Sequence, residues 1–161
     1  MTGYLGLGSN EGDRLANLRR ARDLLAGHGV EVTASSSVYQ TAPQGEVLDQ
    51  PDFLNACVRI STSLEPADLL RACKEVERDL GRTPGGPRHS PRPVDVDVLL
   101  LGGLEFSSDQ LRVPHPDLAV RRFVLEPLLE LDPGVALPDG SPLAPRLAML
   151  AEQGVERVGP W

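Results

Sequence analysis

Lysine is almost missing from this chain. Lys74 is the only one among 161 residues, so its basic charge comes almost wholly from arginine. That bias fits genome composition and is assigned no function. Aromatic residues make up only 4%, too few for a sheet that stacks nucleic-acid bases. A net charge of −7 and a pI near 4.9 point the same way, because neutralising phosphates needs a basic face. No nucleic-acid partner is expected. No apolar run approaches the roughly 18–20 residues of a membrane span, so no membrane partner is expected either. The opening MTGYLGLGSNEGD has no basic n-region and no continuous apolar h-region, so a secretory signal is not expected. Cys57 and Cys73 show neither CxxC nor Cys/His metal spacing. Both read as small core residues, which suits a reducing cytoplasm. The phosphate-binding pattern GxxxxGK[ST] is absent as well, which excludes a P-loop kinase.

What remains is ordinary for a globular protein: 40% hydrophobic and 24% charged residues. A chain of this length fits one domain, expected to span residues 1–161 as a monomer, and can bury about 70% of its unfolded surface. Residues 3–9 read as a strand ending in Gly8-Ser9-Asn10-Glu11-Gly12. Asp13 or Asn10 can cap the next helix, to about residue 26, with Leu15, Leu18, Ala21 and Leu25 on one face. Residues 30–40 are strand-like, 41–52 form a loop, and 53–63 form a second β-run. A helix starts at Pro66, repeats Leu69, Cys73, Val76 and Leu80 at helical spacing, and stops at Gly81. After a Pro/Gly-rich loop comes a strand over 94–101. A short segment over 104–111, a turn at 113–116 and helices over 121–131 and 143–152 complete the order. The expected class is α+β. A ferredoxin-like β-α-β-β-α-β core carries an antiparallel sheet, and a helical C-terminal extension packs on it.

Residues 82–101 carry the most chemistry. Arg82, Arg88 and Arg92 sit in a loop that cannot be helical, and it runs into a strand bearing Asp95 and Asp97. In a strand these two share a face, roughly 6–7 Å apart, with Val94, Val96 and Val98 on the other. Two like charges so close call for a cation. A hard divalent ion fits between them, and guanidinium groups suit phosphate oxygens. The pattern reads as a Mg²⁺–polyphosphate site. It also fits a strand with a solvated face beside a polar loop, and spacing alone does not separate the two.

Gly6-x-Gly8-x-x-x-Gly12 follows a strand and opens a helix, with Glu31 about 20 residues on, as in a dinucleotide fingerprint. The second and third β-runs, however, are joined by a loop without a crossover helix. A parallel doubly wound sheet is therefore disfavoured. A nicotinamide-binding domain and a regulatory ferredoxin-like domain without chemistry stand as rival readings.

Leu5-Gly6-Leu7-Gly8-Ser9-Asn10, Asp52-Phe53-Leu54-Asn55 and Pro91-Arg92-x-x-Asp95-x-Asp97 occur in order. Val113-Pro114-His115-Pro116-Asp117, Arg121-x-Phe123 and Leu137-Pro138-Asp139-Gly140 follow. With these motifs the chain resembles the 6-hydroxymethyl-7,8-dihydropterin pyrophosphokinase family over nearly its whole length. The resemblance implies transfer of pyrophosphate from ATP to the pterin hydroxymethyl group in folate biosynthesis, releasing AMP. It implies that Asp95 and Asp97 hold two Mg²⁺ ions, with Arg82 and Arg92 as catalytic partners of the phosphates. It places Lys74, Glu77, Arg82, Arg88, Arg92, His115 and Arg121 around ATP. Gly8, Ala42, Pro43, Gln44, Phe53, Asn55 and Phe123 would surround the pterin. The chain departs from the family pattern at several positions, among them Pro84, Gly85 and Gly86 in place of a more basic stretch. His89 stands where a tryptophan is frequent, Ser90 replaces the neighbouring glycine, and Phe53 replaces a frequent tyrosine.

Overall fold

The computed structural model describes residues 1–42, 51–81 and 93–161. In chain order these form β1 (Thr2–Ser9), α1 (Arg14–Ala26), β2 (Glu31–Ser35), β3 (Val38–Thr41), β4 (Phe53–Ser61) and α2 (Pro66–Asp79). Next come β5 (Asp95–Leu101), the short hairpin strands β6 (Phe106–Ser107) and β7 (Arg112–Val113), α3 (Arg122–Leu131) and β8 (Val155–Gly159). The main sheet runs β5-β1-β4-β3-β8, with β2 also paired to β4. Every pairing in it is antiparallel. The expected β-α-β-β-α-β core is therefore present. Because β4 lies between β1 and β3, the parallel neighbours of a nicotinamide-binding sheet do not arise.

Local chemistry explains the boundaries. The Asp13 carboxylate accepts the Ala16 N–H at 3.1 Å and caps α1. At the other end of the helix pair, Gly81 takes φ +94°, the left-handed conformation that ends α2 without a Cβ clash. Leu5, Leu7, Ala56, Val58, Val96 and Val98 point to one face of the sheet. There they pack with Leu18, Leu25, Leu69 and Val76 of the first two helices. Burying each such leucine stabilises the fold by about 2 kcal/mol.

Two expectations need correction. The single strand over 30–40 is two strands: Ser36 and Ser37 interrupt it, and the Ser36 hydroxyl accepts the Cys57 N–H at 2.9 Å. The same hydroxyl donates to the Ser37 carbonyl at 2.7 Å, and side-chain bonding of this kind competes with a continuous ladder. The terminal helix over 143–152 is instead a 3-10 segment at Ala144–Leu150 followed by β8. Beyond the expected helix, pairing with β3 from Thr41↔Val155 to Val38↔Gly159 adds an unforeseen strand to the sheet.

The other sheet face carries α3. Leu125 and Leu128 are fully buried against Tyr4, Cys57 and Leu99. Glu130 anchors the helix by accepting from the Tyr39 hydroxyl at 2.6 Å and the Ser37 N–H at 2.8 Å. Burial, reinforced by Glu130, raises the Tyr39 phenol above its ordinary pKa. At the C-terminal end of α3, Arg59 donates to the Leu131 carbonyl at 2.8 Å.

Cys57 and Cys73 are 1% and 0% exposed, as the core reading expected. Burial pushes both thiols up, that of Cys73 to about 12. Since the thiolate is the reactive species, the native protein should not react with a thiol-titrating disulfide reagent. Two thiols should titrate only after unfolding. Prompt labelling of the native protein would show that either cysteine is accessible.

Candidate active site

The helix α3 covers only part of its sheet face and leaves a cleft over the ends of β1, β4 and β5. Sheet register builds the floor. Gly8 pairs with Asn55 on one side and Asp95 on the other, and Gly6 pairs likewise with Cys57 and Asp97. Paired residues share a face, so Asp95, Asp97 and Asn55 all open onto the glycine row of β1. Those glycines make room. A Cβ on Gly8 would stand 3.0 Å from the Asn55 side-chain oxygen and 3.7 Å from the Phe53 ring. Asn55 is 6% exposed, and its Nδ2 has no hydrogen-bond partner among the described residues.

Nine residues expected at the site line this one cleft: Gly8, Ala42, Phe53, Asn55, Asp95, Asp97, His115, Arg121 and Phe123. A larger open groove of about 920 Å³ runs along α1 and β2, bordered by Arg22, Asp23 and Glu31. It contains none of the candidate residues. Chemistry, not size, selects the cleft.

The walls are polar and ordered. His115 donates its backbone N–H to the Leu99 carbonyl at 3.0 Å, and its Nδ1 accepts the Asp117 N–H at 3.1 Å. In the neutral ring the proton therefore sits on Nε2, which is a donor suited to an anionic oxygen. Arg121 pairs with Asp117 at 3.0 Å, and its guanidinium carbon lies 5.7 Å from the centroid of the Phe123 ring. Gln40 donates to the Asp52 carboxylate at 3.1 Å and Arg14 to the Asp52 carbonyl at 2.8 Å, which fixes the entry into β4 just before Phe53.

Asp95 and Asp97 lie on the same face, as the period-2 argument requires. No cluster of three or more His, Cys, Asp or Glu side chains able to hold a metal occurs among the described residues. This donor set fits Mg²⁺, which binds through one or two carboxylates and takes its other ligands from water and phosphate.

The family described as 7,8-dihydro-6-hydroxymethylpterin-pyrophosphokinase (HPPK) has a model that matches residues 4–133. The chain belongs to this family. A 2-amino-4-hydroxy-6-hydroxymethyldihydropteridine pyrophosphokinase of Methylorubrum extorquens is 44% identical over 156 residues, covering 96% of this chain and 97% of that protein. One of the same name from Bacillus subtilis is 47% identical over 129 residues, covering 80% and 76%. The mitochondrial folate synthesis bifunctional protein of Pisum sativum is 47% identical over 127 residues, covering 79% of this chain but only 24% of that protein. The chain thus spans about a quarter of that longer relative. A Plasmodium falciparum HPPK-DHPS crystal structure superposes with TM-score 0.71 over 94% of this chain and 45% of that one, at 13% identity. That likeness supports the fold alone.

In this HPPK chain, two expected residues lie apart from the cleft lining. Lys74 and Glu77 are on α2, and the Glu77 carboxylate, 3% exposed, accepts the Val96 N–H of β5 at 2.8 Å. Lys74 sits 3.4 Å from it. Pro43, Gln44, Arg82, Arg88 and Arg92 lie outside the described residues. Sequence reasoning missed Thr41, Leu99 and Val124 as lining residues, and Asp117 as the partner of Arg121. The i,i+4 spacing of Asp117 and Arg121 was the available signal for the last.

Proposed function

We propose that this chain transfers the pyrophosphoryl group of ATP to the hydroxyl of 6-hydroxymethyl-7,8-dihydropterin in folate biosynthesis. The pterin hydroxyl oxygen bonds to the β-phosphorus, the bond from that phosphorus to the α–β bridging oxygen breaks, and AMP leaves. The hydroxyl proton passes to solvent. The observation that carries this reading is one cleft holding Asp95 and Asp97 beside the buried Asn55 amide and the rings of Phe53 and Phe123.

Asn55 would pair with the edge of the pterin, and Phe53 and Phe123 would hold its ring faces, with Gly8, Ala42, Pro43 and Gln44 around them. Asp95 and Asp97 would hold two Mg²⁺ ions, which supply charge neutralisation to the triphosphate when bound. His115 would donate from Nε2 to a phosphate oxygen. Arg121 would exchange Asp117 for the nucleotide, while Arg82, Arg88 and Arg92, with Lys74 and Glu77, complete the ATP set. No described side chain is placed as a general base, so positioning and electrostatics would supply most of the acceleration. We propose further that residues 1–161 act as one domain and as a monomer. The placement of β1 and β8 in one sheet supports the first point. Two free thiols support a reducing cytoplasm.

Incubation with ATP, Mg²⁺ and the hydroxymethyl pterin should release one AMP for each pterin diphosphate formed. No AMP, or Mg²⁺-independent binding of NAD(P), would defeat the proposal.

A further inference from the structure

Residues beyond the family match reach back into the cleft wall. Gln153 lies 20 positions past the end of that match (153 − 133), in the connection between the 3-10 segment and β8. Its side-chain amide straddles Arg121: Nε2 donates to the Val120 carbonyl at 2.9 Å, and Oε1 accepts the Arg122 N–H at 2.8 Å. The Gln153 backbone carbonyl also accepts from the Arg122 guanidinium at 2.8 Å. Next to it, the Gly154 carbonyl accepts from the hydroxyl of Thr41, a lining residue at the end of β3.

The need for this contact follows from helix geometry. Arg121 is the N-cap of α3, and its side chain makes no capping hydrogen bond. The first N–H groups of a helix have no partner within it. Gln153 supplies one from 31 positions away and holds the preceding carbonyl at the same time. Only a group that donates and accepts side by side, as a peptide does, can make both bonds. The peptide units on either side of Arg121 are thereby fixed, and the helix that carries Phe123 starts at a set point.

We infer that Gln153 is a positioning residue for Arg121, which fixes its guanidinium where the nucleotide phosphates or ribose would lie. The inference rests on the proposed placement of ATP at Arg121. It makes the tail a contributor to nucleotide affinity, not only an added sheet strand.

A double-mutant cycle tests this, reading the Kd of a non-hydrolysable ATP analogue with Mg²⁺ by calorimetry, with thermal unfolding in parallel. Gln153→Ala should weaken binding about tenfold, the scale of one or two lost hydrogen bonds. In an Arg121→Ala background the same change should have little further effect, because the lost positioning then has nothing to position. Gln153→Glu keeps the acceptor for Arg122 and loses the donor to Val120, so it should fall between wild type and Gln153→Ala. If the alanine variant does not fold, the glutamate variant carries the cycle. An equal loss in both backgrounds, or unchanged affinity in Gln153→Ala, overturns the inference while leaving the site reading intact. An Arg121→Ala protein that binds the analogue normally defeats the placement of ATP and this inference together.

Discussion

Asp97→Asn should lower turnover about 10³-fold at saturating ATP and pterin, with the fold retained. The asparagine occupies nearly the same volume, and the backbone pairing of residue 97 with Gly6 does not depend on the side chain. Only the charge is lost. A charge aimed at a phosphoryl transition state matters most where it is fixed in place before reaction. Losing one such partner costs about 10²–10³ in rate. Asp95, half-buried at the next position on the same face, should respond as strongly. The Mg²⁺ dependence gives a second readout, since half of the proposed carboxylate pair leaves a weaker site. The variant should need a higher Mg²⁺ concentration for half-maximal rate. Near-normal turnover at millimolar Mg²⁺ in either variant would remove the two aspartates from the phosphate site.

That pair was readable because strand geometry is a short-range rule. Alternation along residues 94–98 places both carboxylates on one face without knowledge of any other element, and the valines opposite are buried as expected. Helix ends were readable for the same reason. Asp13 caps α1 and Gly81 terminates α2 through contacts within a few residues. The element order then limited the sheet to an antiparallel arrangement. What was not legible depends on distant partners. The break at Ser36 and Ser37 is stabilised by Cys57 and Glu130, the latter 93 residues from Ser37. No local propensity reports that. Residues 155–159 carry no strand signal of their own, and β8 exists through its pairing with β3. Glu77 shows the same limit: only the family resemblance pointed to it, and the bond its carboxylate accepts from the Val96 N–H, 19 positions away, is invisible to local pattern.

Asn55→Ala should weaken pterin binding about 100-fold and leave the thermal midpoint of the free protein unchanged or slightly higher. The two effects come from one atom. Asn55 Nδ2 is buried without a hydrogen-bond partner among the described residues. A polar group in that state destabilises a fold by about 1–3 kcal/mol. Truncation to alanine removes the orphan donor, which offsets the packing lost with the side chain. The cleft explains why a costly amide persists at this position of β4. Gly8 opposite has no Cβ, and any Cβ there would crowd the Asn55 oxygen at 3.0 Å. A ligand edge carrying a matched acceptor would satisfy Nδ2 for the first time. A site built to pair a polar ligand edge loses far more than one hydrogen bond when its partner is removed, since the ligand's own groups are then left buried and unpaired. Calorimetry with the pterin, in the presence of Mg²⁺ and the ATP analogue, reads the affinity, and a melting curve reads the stability. A variant that melts several degrees lower and binds pterin normally would show the reverse assignment, in which Asn55 supports the sheet and the pterin is recognised elsewhere.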